Sequence, residues 1–231
     1  MAVGDSIAYN SPDDCPGCTG FVVRYAKRIE QDSGHAVKIT NLSQHNGLQI
    51  AGLLEEMRTD QTRREALAGA DIILVGIAHN DAPWGSDTDL CDGPSTKLDW
   101  SKFTPKCLAA STAALRPQLD TILATVVDLR AGKPTVLRTI NRYNDWIGDP
   151  SISPAAGMTS RDVIRAYNAM QGKAAIAHGF TCADLNLAFN GKDGLKPSGD
   201  LLASDFTHPS DKGNEVIAGV LAELAYAPLA P

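Results

Sequence analysis

The chain has 231 residues, with 43% hydrophobic and 21% charged side chains and a formal net charge of -6. That is enough chain to bury a substantial core, so one domain over 1–231 is expected. The acidic balance argues against nucleic acid as a partner, and no uninterrupted apolar stretch reaches the roughly 18 residues of a membrane span.

Taken in chain order, short apolar runs alternate with longer amphipathic ones, the pattern of a parallel sheet covered by helices. Strands are expected at 2–3, 36–41, 71–77, 135–140 and 179–184, and helices at 21–32, 48–59, 107–130, 160–177 and 212–224. Gly34 and the Gly132-Lys133-Pro134 run punctuate the helix ends, Thr159 or Ser160 can cap the next helix, and Pro117 is expected to kink or restart the long one. The reading is a three-layer α/β/α fold with a five-stranded parallel sheet in the flavodoxin-like order 2-1-3-4-5. The segment 82–106, rich in Gly, Pro, Asp and Ser, is too long for an idle connection and is a candidate substrate-binding loop.

The five cysteines are Cys15, Cys18, Cys91, Cys107 and Cys182. No second CxxC completes a zinc site, so disulfides are the better reading: Cys91 with Cys107 across the irregular stretch, Cys15 with Cys18 around a small loop, and Cys182 left over in a strand. Such bridges imply an oxidising compartment, so the chain is read as the mature part of a secreted or periplasmic protein given a start methionine.

Three stretches carry chemistry-bearing residues, each after a strand or before the last helix: Gly4-Asp5-Ser6, His79-Asn80-Asp81, and Asp205-Phe206-Thr207-His208-Pro209. Ligands of open parallel sheets bind beyond the carboxyl ends of the strands, where strand order reverses. In the order 2-1-3-4-5 that point puts Ser6 and Asn80 across one crevice. A serine hydroxyl needs an imidazole to take its proton, and the imidazole needs a carboxylate to fix its tautomer. Asp205 and His208, three residues apart, supply that pair on one side of a tight turn. An acyl-transfer intermediate also needs oxyanion donors. The backbone N–H groups of Ser6 and Gly47 and the side-chain amide of Asn80 are the candidates, glycine being suited to close backbone approach.

These blocks, in this order and spanning nearly the whole chain, resemble those of the SGNH (GDSL-type) hydrolases. The resemblance implies Ser6 as nucleophile, Gly47 and Asn80 as oxyanion-hole members, Asp205 as orienting carboxylate and His208 as general acid/base. One position departs from the pattern: Ala78 stands where the family's third block usually has glycine. The Gly-x-Ser-x-Gly elbow of the larger α/β-hydrolases is absent.

Alone, Ser6 would read as a helix-cap serine; the accompanying blocks reverse that. Asp5 and Asp81 are expected to tie down their own loops, and His79 to be a packed neighbour. His35, His45 and His178 have no local partner that suggests chemistry. Trp84, Asn141, Tyr143 and Trp146 follow strands on the active face and are candidate substrate-lining residues, or cover for the core edge. Arg63 and Arg64 read as a solvated face. The expected activity is hydrolysis of carboxylic esters, with short-chain acyl or O-acetyl groups preferred, on a small-molecule or carbohydrate substrate, by a monomer using no metal and no cofactor. The rivals are a lipase, phospholipase or thioesterase of the same family, which the polar character of 82–106 argues against, and a non-catalytic carbohydrate-binding domain, which has no use for a serine paired with a base.

Overall fold

A computed structural model describes residues 1–81, 89–93 and 98–229. Four parallel strands, β1 (Ala2–Gly4), β2 (Ile72–Gly76), β3 (Val136–Ile140) and β4 (Thr181–Ala183), lie side by side in that order. Ala2 pairs with Leu74, Ile72 with Val136 and Arg138 with Thr181. The helices are α1 (Ser6–Tyr9), α2 (Phe21–Ser33), α3 (Ile50–Thr59), α4 (Gln61–Gly69), α5 (Pro105–Arg130), α6 (Pro154–Ala177), α7 (Leu185–Asn190) and α8 (Asp211–Ala222).

Side chains of a strand alternate between the two faces of the sheet, and β2 shows the consequence. Ile73 and Val75 enter a core with Leu53, Met57, Leu67, Ile122 and Val126 from α3, α4 and α5 and with Val163 and Tyr167 from α6. Leu74 enters the opposite core with Ile7, Phe21, Tyr25, Phe189, Ile217 and Leu221 from α1, α2, α7 and α8. Three layers follow among the described residues: four α-helices, the sheet, four α-helices.

The expected strand 36–41 is reduced to one parallel bridge, Ala2 opposite Asn41 on the outer side of β1, so among the described residues the sheet has four strands, not five. The order of the segments is nevertheless the expected one. With Ala2 opposite Asn41, residues 36–39 lie past the end of the three-residue β1 and have no strand beside them; pairing starts where Ala2 N donates to Thr40 O, and continues with Leu42 N to Ala2 O and Gln44 N to Gly4 O.

Several helices differ from their expected limits. Thr104 caps α5, which carries Pro117 inside one unbroken helix of 26 residues. Ser153 caps α6 with Pro154 in its first turn, so this helix starts six residues before 160, at the proline suited to a first turn. The short α1, α4 and α7 lie outside the expected helices. In α4, Arg63 is not solvated but buried at 3% exposure: its guanidinium donates to Leu42 O and pairs with Glu56 at 2.8 Å. The hydrogen bond to Leu42 O, 21 residues away, leaves no trace in local sequence.

Cys15 bonds to Cys18 and Cys91 to Cys107, with Cα separations of 5.5 and 5.6 Å inside the usual disulfide range. Cys182 is the one free cysteine; burial pushes its thiol up to about 12, so it is unreactive in the folded state. Alkylation of the denatured, unreduced protein is therefore expected to add one label by intact mass, and five after reduction; five labels without reduction would contradict both bridges.

Candidate functional site

The site begins with a close backbone approach. A Cβ on Gly4 would fall 1.8 Å from the Gly76 carbonyl oxygen, so only glycine fits at the end of β1. Asp5 N donates to that same oxygen at 2.9 Å. The Asp5 carboxylate then does two things: Oδ1 caps α1 by accepting from Ile7 N at 3.1 Å, and Oδ2 accepts from His79 N at 3.2 Å. The ends of β1 and β2 are thus joined through one side chain, and Ser6 opens α1 beside the crevice between them.

The second part arrives from the other end of the chain. Between Leu201 and Ser210 the backbone folds back on itself: Ala203 N donates to His208 O, Ser210 N to Leu201 O, and Leu202 bridges Pro209 in antiparallel fashion. At its tip Phe206 takes a left-handed φ of 60°. Asp205 Oδ1 accepts from the backbone N–H of both Thr207 and His208 at 3.0 Å, while Oδ2 lies 2.7 Å from His208 Nδ1. His208 Nε2 lies 3.0 Å from Ser6 Oγ. Burial pushes the Asp205 carboxyl up, but the two backbone donors and the adjacent imidazole outweigh it and hold the group below the ordinary carboxylate range. Asp205 is therefore ionised at neutral pH and fixes His208 with Nδ1 as donor.

The third part follows β2. Ala78 has a φ of 97°, a conformation glycine adopts without steric cost, which accounts for glycine as the usual residue there. Asn80 Nδ2 donates to Leu48 O at 3.1 Å, and Gln49 Nε2 donates to Asn80 O at 2.9 Å. Asp81 accepts from Ile50 N with both oxygens at 3.2 Å, anchoring the start of α3. Gly47, at a left-handed φ of 71°, precedes this segment, so Asn80 and the 47–50 stretch are held as one unit.

Beneath these groups lies a buried polar layer. Asp145 pairs with Arg142 at 3.1 Å, both side chains 2% exposed, and with His79 Nε2 at 3.7 Å. Burial, reinforced by the Arg142 charge, brings His79 down to about 4, so its ring is neutral. For Asp145, burial opposes ionisation but the Arg142 cation and His79 outweigh it, and its carboxyl sits below the usual range. Burial raises Asp5 to about 7 and, with help from the Asp5 charge, Asp81 also to about 7.

Among the expected substrate-lining residues, Tyr143 is 1% exposed, stacks on Phe189 and donates its hydroxyl to Thr207 O at 2.6 Å. It braces the loop that carries His208 and, so buried, lines only a small cavity with Asp5, Gly76 and His79. Asn141 bonds to Asp184 and accepts from Asn186 N, tying β3 to α7. Trp146 packs edge-on against Trp100. Trp84 lies outside the described residues. His45 and His178, without local partners in sequence, have distant ones: Asp14 and Asp120. Asp14, Arg142 and Asp145 escaped sequence reading altogether, since each acts on a histidine far away in the chain.

Parallel α/β/α layering with a serine, a histidine and a carboxylate in hydrogen-bonded line at the carboxyl end of the sheet defines an α/β enzyme of the hydrolase type. The family model described as GDSL-like lipase/acylhydrolase matches residues 2–216, and the chain belongs to that family of ester hydrolases. No curated protein matches its sequence. Solved structures share the fold at low identity. A lipase from a goat rumen metagenome superposes with a TM-score of 0.75 at 20% identity, covering 99% of this chain and 98% of its own. The extracellular lipase of Streptomyces rimosus gives 0.69 at 16%, covering 96% and 97%. The acetylxylan esterase of Geobacillus stearothermophilus gives 0.62 at 15%, covering 96% and 91%.

The raised Asp81 carboxyl makes a prediction about stability. Its folded-state value of about 7 exceeds the ordinary 3.8, so its favourable contribution is complete below about pH 4 and is lost as pH rises through 7. Relative to Asp81→Asn, which cannot ionise, the wild type should lose on the order of 3 kcal/mol between pH 4 and 8, from roughly 1.4 kcal/mol per pH unit. Urea unfolding of both proteins across that range measures the difference, and parallel curves would contradict the assignment.

Proposed function

We propose that this protein is a serine esterase that acts through an acyl-Ser6 intermediate. The observation that carries the reading is His208 spanning Ser6 Oγ at 3.0 Å and Asp205 Oδ2 at 2.7 Å. Nε2 accepts the Ser6 proton as Oγ attacks the ester carbonyl carbon, and Asp205 stabilises the imidazolium that results. The tetrahedral oxyanion is met by the backbone N–H groups of Ser6 and Gly47 and by Asn80 Nδ2, whose amide keeps a second hydrogen after donating to Leu48 O. Collapse of the intermediate breaks the C–O bond to the alcohol, which takes the proton from His208. Water, deprotonated by His208, then attacks the acyl carbonyl and frees Ser6.

Short-chain acyl or O-acetyl esters are the preferred substrates in this reading. Support comes from the composition of 82–106, which is polar where a lipid-binding loop would be apolar, and from an acetylxylan esterase among the structural relatives. Lipases among those relatives favour the second reading, long-chain esters. Export fits the two disulfides, and one catalytic domain acting as a monomer fits a site built wholly from this chain.

Hydrolysis of p-nitrophenyl acetate, butyrate, octanoate and palmitate by wild type and Ser6→Ala tests both levels. Folded Ser6→Ala should lose about 10,000-fold or more in turnover. Equal activity in the two proteins would remove Ser6 from the mechanism, and a rate optimum at octanoate or palmitate would overturn the short-chain preference.

A further inference from the structure

Beside Ser6, and on the face of His208 away from Asp205, the structure places two groups that the esterase chemistry does not use. Asp14 comes from the loop closed by the Cys15–Cys18 disulfide, and its backbone N–H is tied to Ser11 O. Its side chain is only 13% exposed although it carries a carboxylate at the mouth of the site. His45 comes from the turn before Gly47, with its ring stacked on Tyr9. The Asp14 carboxylate sits between two imidazole nitrogens: Oδ2 lies 2.9 Å from His45 Nε2 and 3.4 Å from His208 Nε2. One ligand atom from each of the three residues falls within 4.8 Å of the others.

We propose that Asp14, His45 and His208 form a zinc-binding site that switches the esterase off reversibly. Zinc takes nitrogen and carboxylate oxygen ligands at about 2.0–2.2 Å in tetrahedral geometry, which sets ligand atoms about 3.3–3.5 Å apart. The His208–Asp14 separation already has that value, and the His45–Asp14 separation needs to open by a few tenths of an ångström. The remaining pair, the two imidazole nitrogens, closes by a rotation of His45, whose side chain is 36% exposed, at the expense of its stacking on Tyr9. Two imidazoles and one carboxylate are a borderline donor set, selective for zinc over magnesium or calcium, which require more oxygen ligands. The fourth position of the tetrahedron is left to water or to Ser6 Oγ, which lies 3.0 Å from His208 Nε2.

The consequence rests on the esterase reading. The lone pair on His208 Nε2 that must accept the Ser6 proton is the one that binds the metal, so metal binding and proton acceptance exclude each other. Asp205 strengthens the metal ligand as it strengthens the base, because a carboxylate hydrogen-bonded to the other ring nitrogen orients the imidazole and raises its donor power. The site is thus inhibitory, not catalytic, and would make activity report the free zinc level of the surroundings.

The test uses tag-free protein, zinc chloride and p-nitrophenyl butyrate. Wild type should lose activity with rising zinc, recover fully on adding EDTA, and ignore magnesium and calcium. His45→Ala should keep the activity of the wild type without metal and need about 100-fold more zinc for the same inhibition. Calorimetric titration of Ser6→Ala with zinc separates the site from the catalysis: one zinc per chain is expected, and none in Ser6→Ala/His45→Ala. Absence of binding in Ser6→Ala, or equal zinc sensitivity in wild type and His45→Ala, would overturn the proposal. A fully active Ser6→Ala protein would instead overturn the esterase reading and leave the zinc titration to be judged by itself.

Discussion

The contact on which the site depends is the approach of Gly4 to the Gly76 carbonyl. At the carboxyl ends of these two parallel strands a side chain on Gly4 would collide with the Gly76 carbonyl. Asp5 N and the Asp5 carboxylate fix the exit from β1 by bonding to Gly76 O and His79 N. Ser6 and the segment following β2 are therefore positioned by one rigid unit, the sheet, and not by the loops that carry them. Hydrogen bonds that satisfy a buried carboxylate and a strand end at once are costly to lose singly, because each loss leaves a buried group without a partner.

The residues from 205 to 208 reach this unit by a different route. Their loop is braced from below by the Tyr143 hydroxyl on Thr207 O and from behind by α8, whose Asn214 accepts from Phe21 N at the start of α2. Arg24 of α2 pairs with Asp211 and Glu215 of α8 at the surface. Exposed ion pairs of this kind contribute little to stability, while the apolar contact of Phe21, Ile217 and Leu221 contributes most. A gap of 202 residues between Ser6 and His208 is closed by helix packing on one face of the sheet, and the hydrogen bond between them is a result of that packing.

Electrostatically the site is layered. Deepest lie the paired Arg142 and Asp145, beside a His79 that burial and the Arg142 charge keep neutral; above them Asp5 and Asp81 are carboxyls raised by burial and used as backbone clamps; at the surface Asp205 is held ionised by its donors. Asp5 and Asp81 on one side and Asp205 on the other thus behave in opposite ways, because desolvation dominates for the first two and hydrogen bonding for the third. Asp14 belongs to the surface layer, where its charge lies against His208 on the side that faces Ser6.

The alternation of strands and helices, the two candidate cysteine pairs, and the blocks at 4–6, 78–81 and 205–209 are legible in the amino-acid sequence, because each is a local signal of periodicity, spacing or residue type; the segment order follows from the fold class they imply, and the structure supplies the disulfide connectivity. The backbone angle at Ala78 and the brevity of the strand at 36–41 were not readable there: one is fixed by the turn out of β2, the other by how few residues of β1 lie beside it. Only the folded chain shows that Tyr143 braces the loop of His208, that Arg63 is buried, and that Asp14 and His45 meet His208. Each of these depends on contacts between residues tens to hundreds of positions apart, which form only when the two layers of helices close on the sheet.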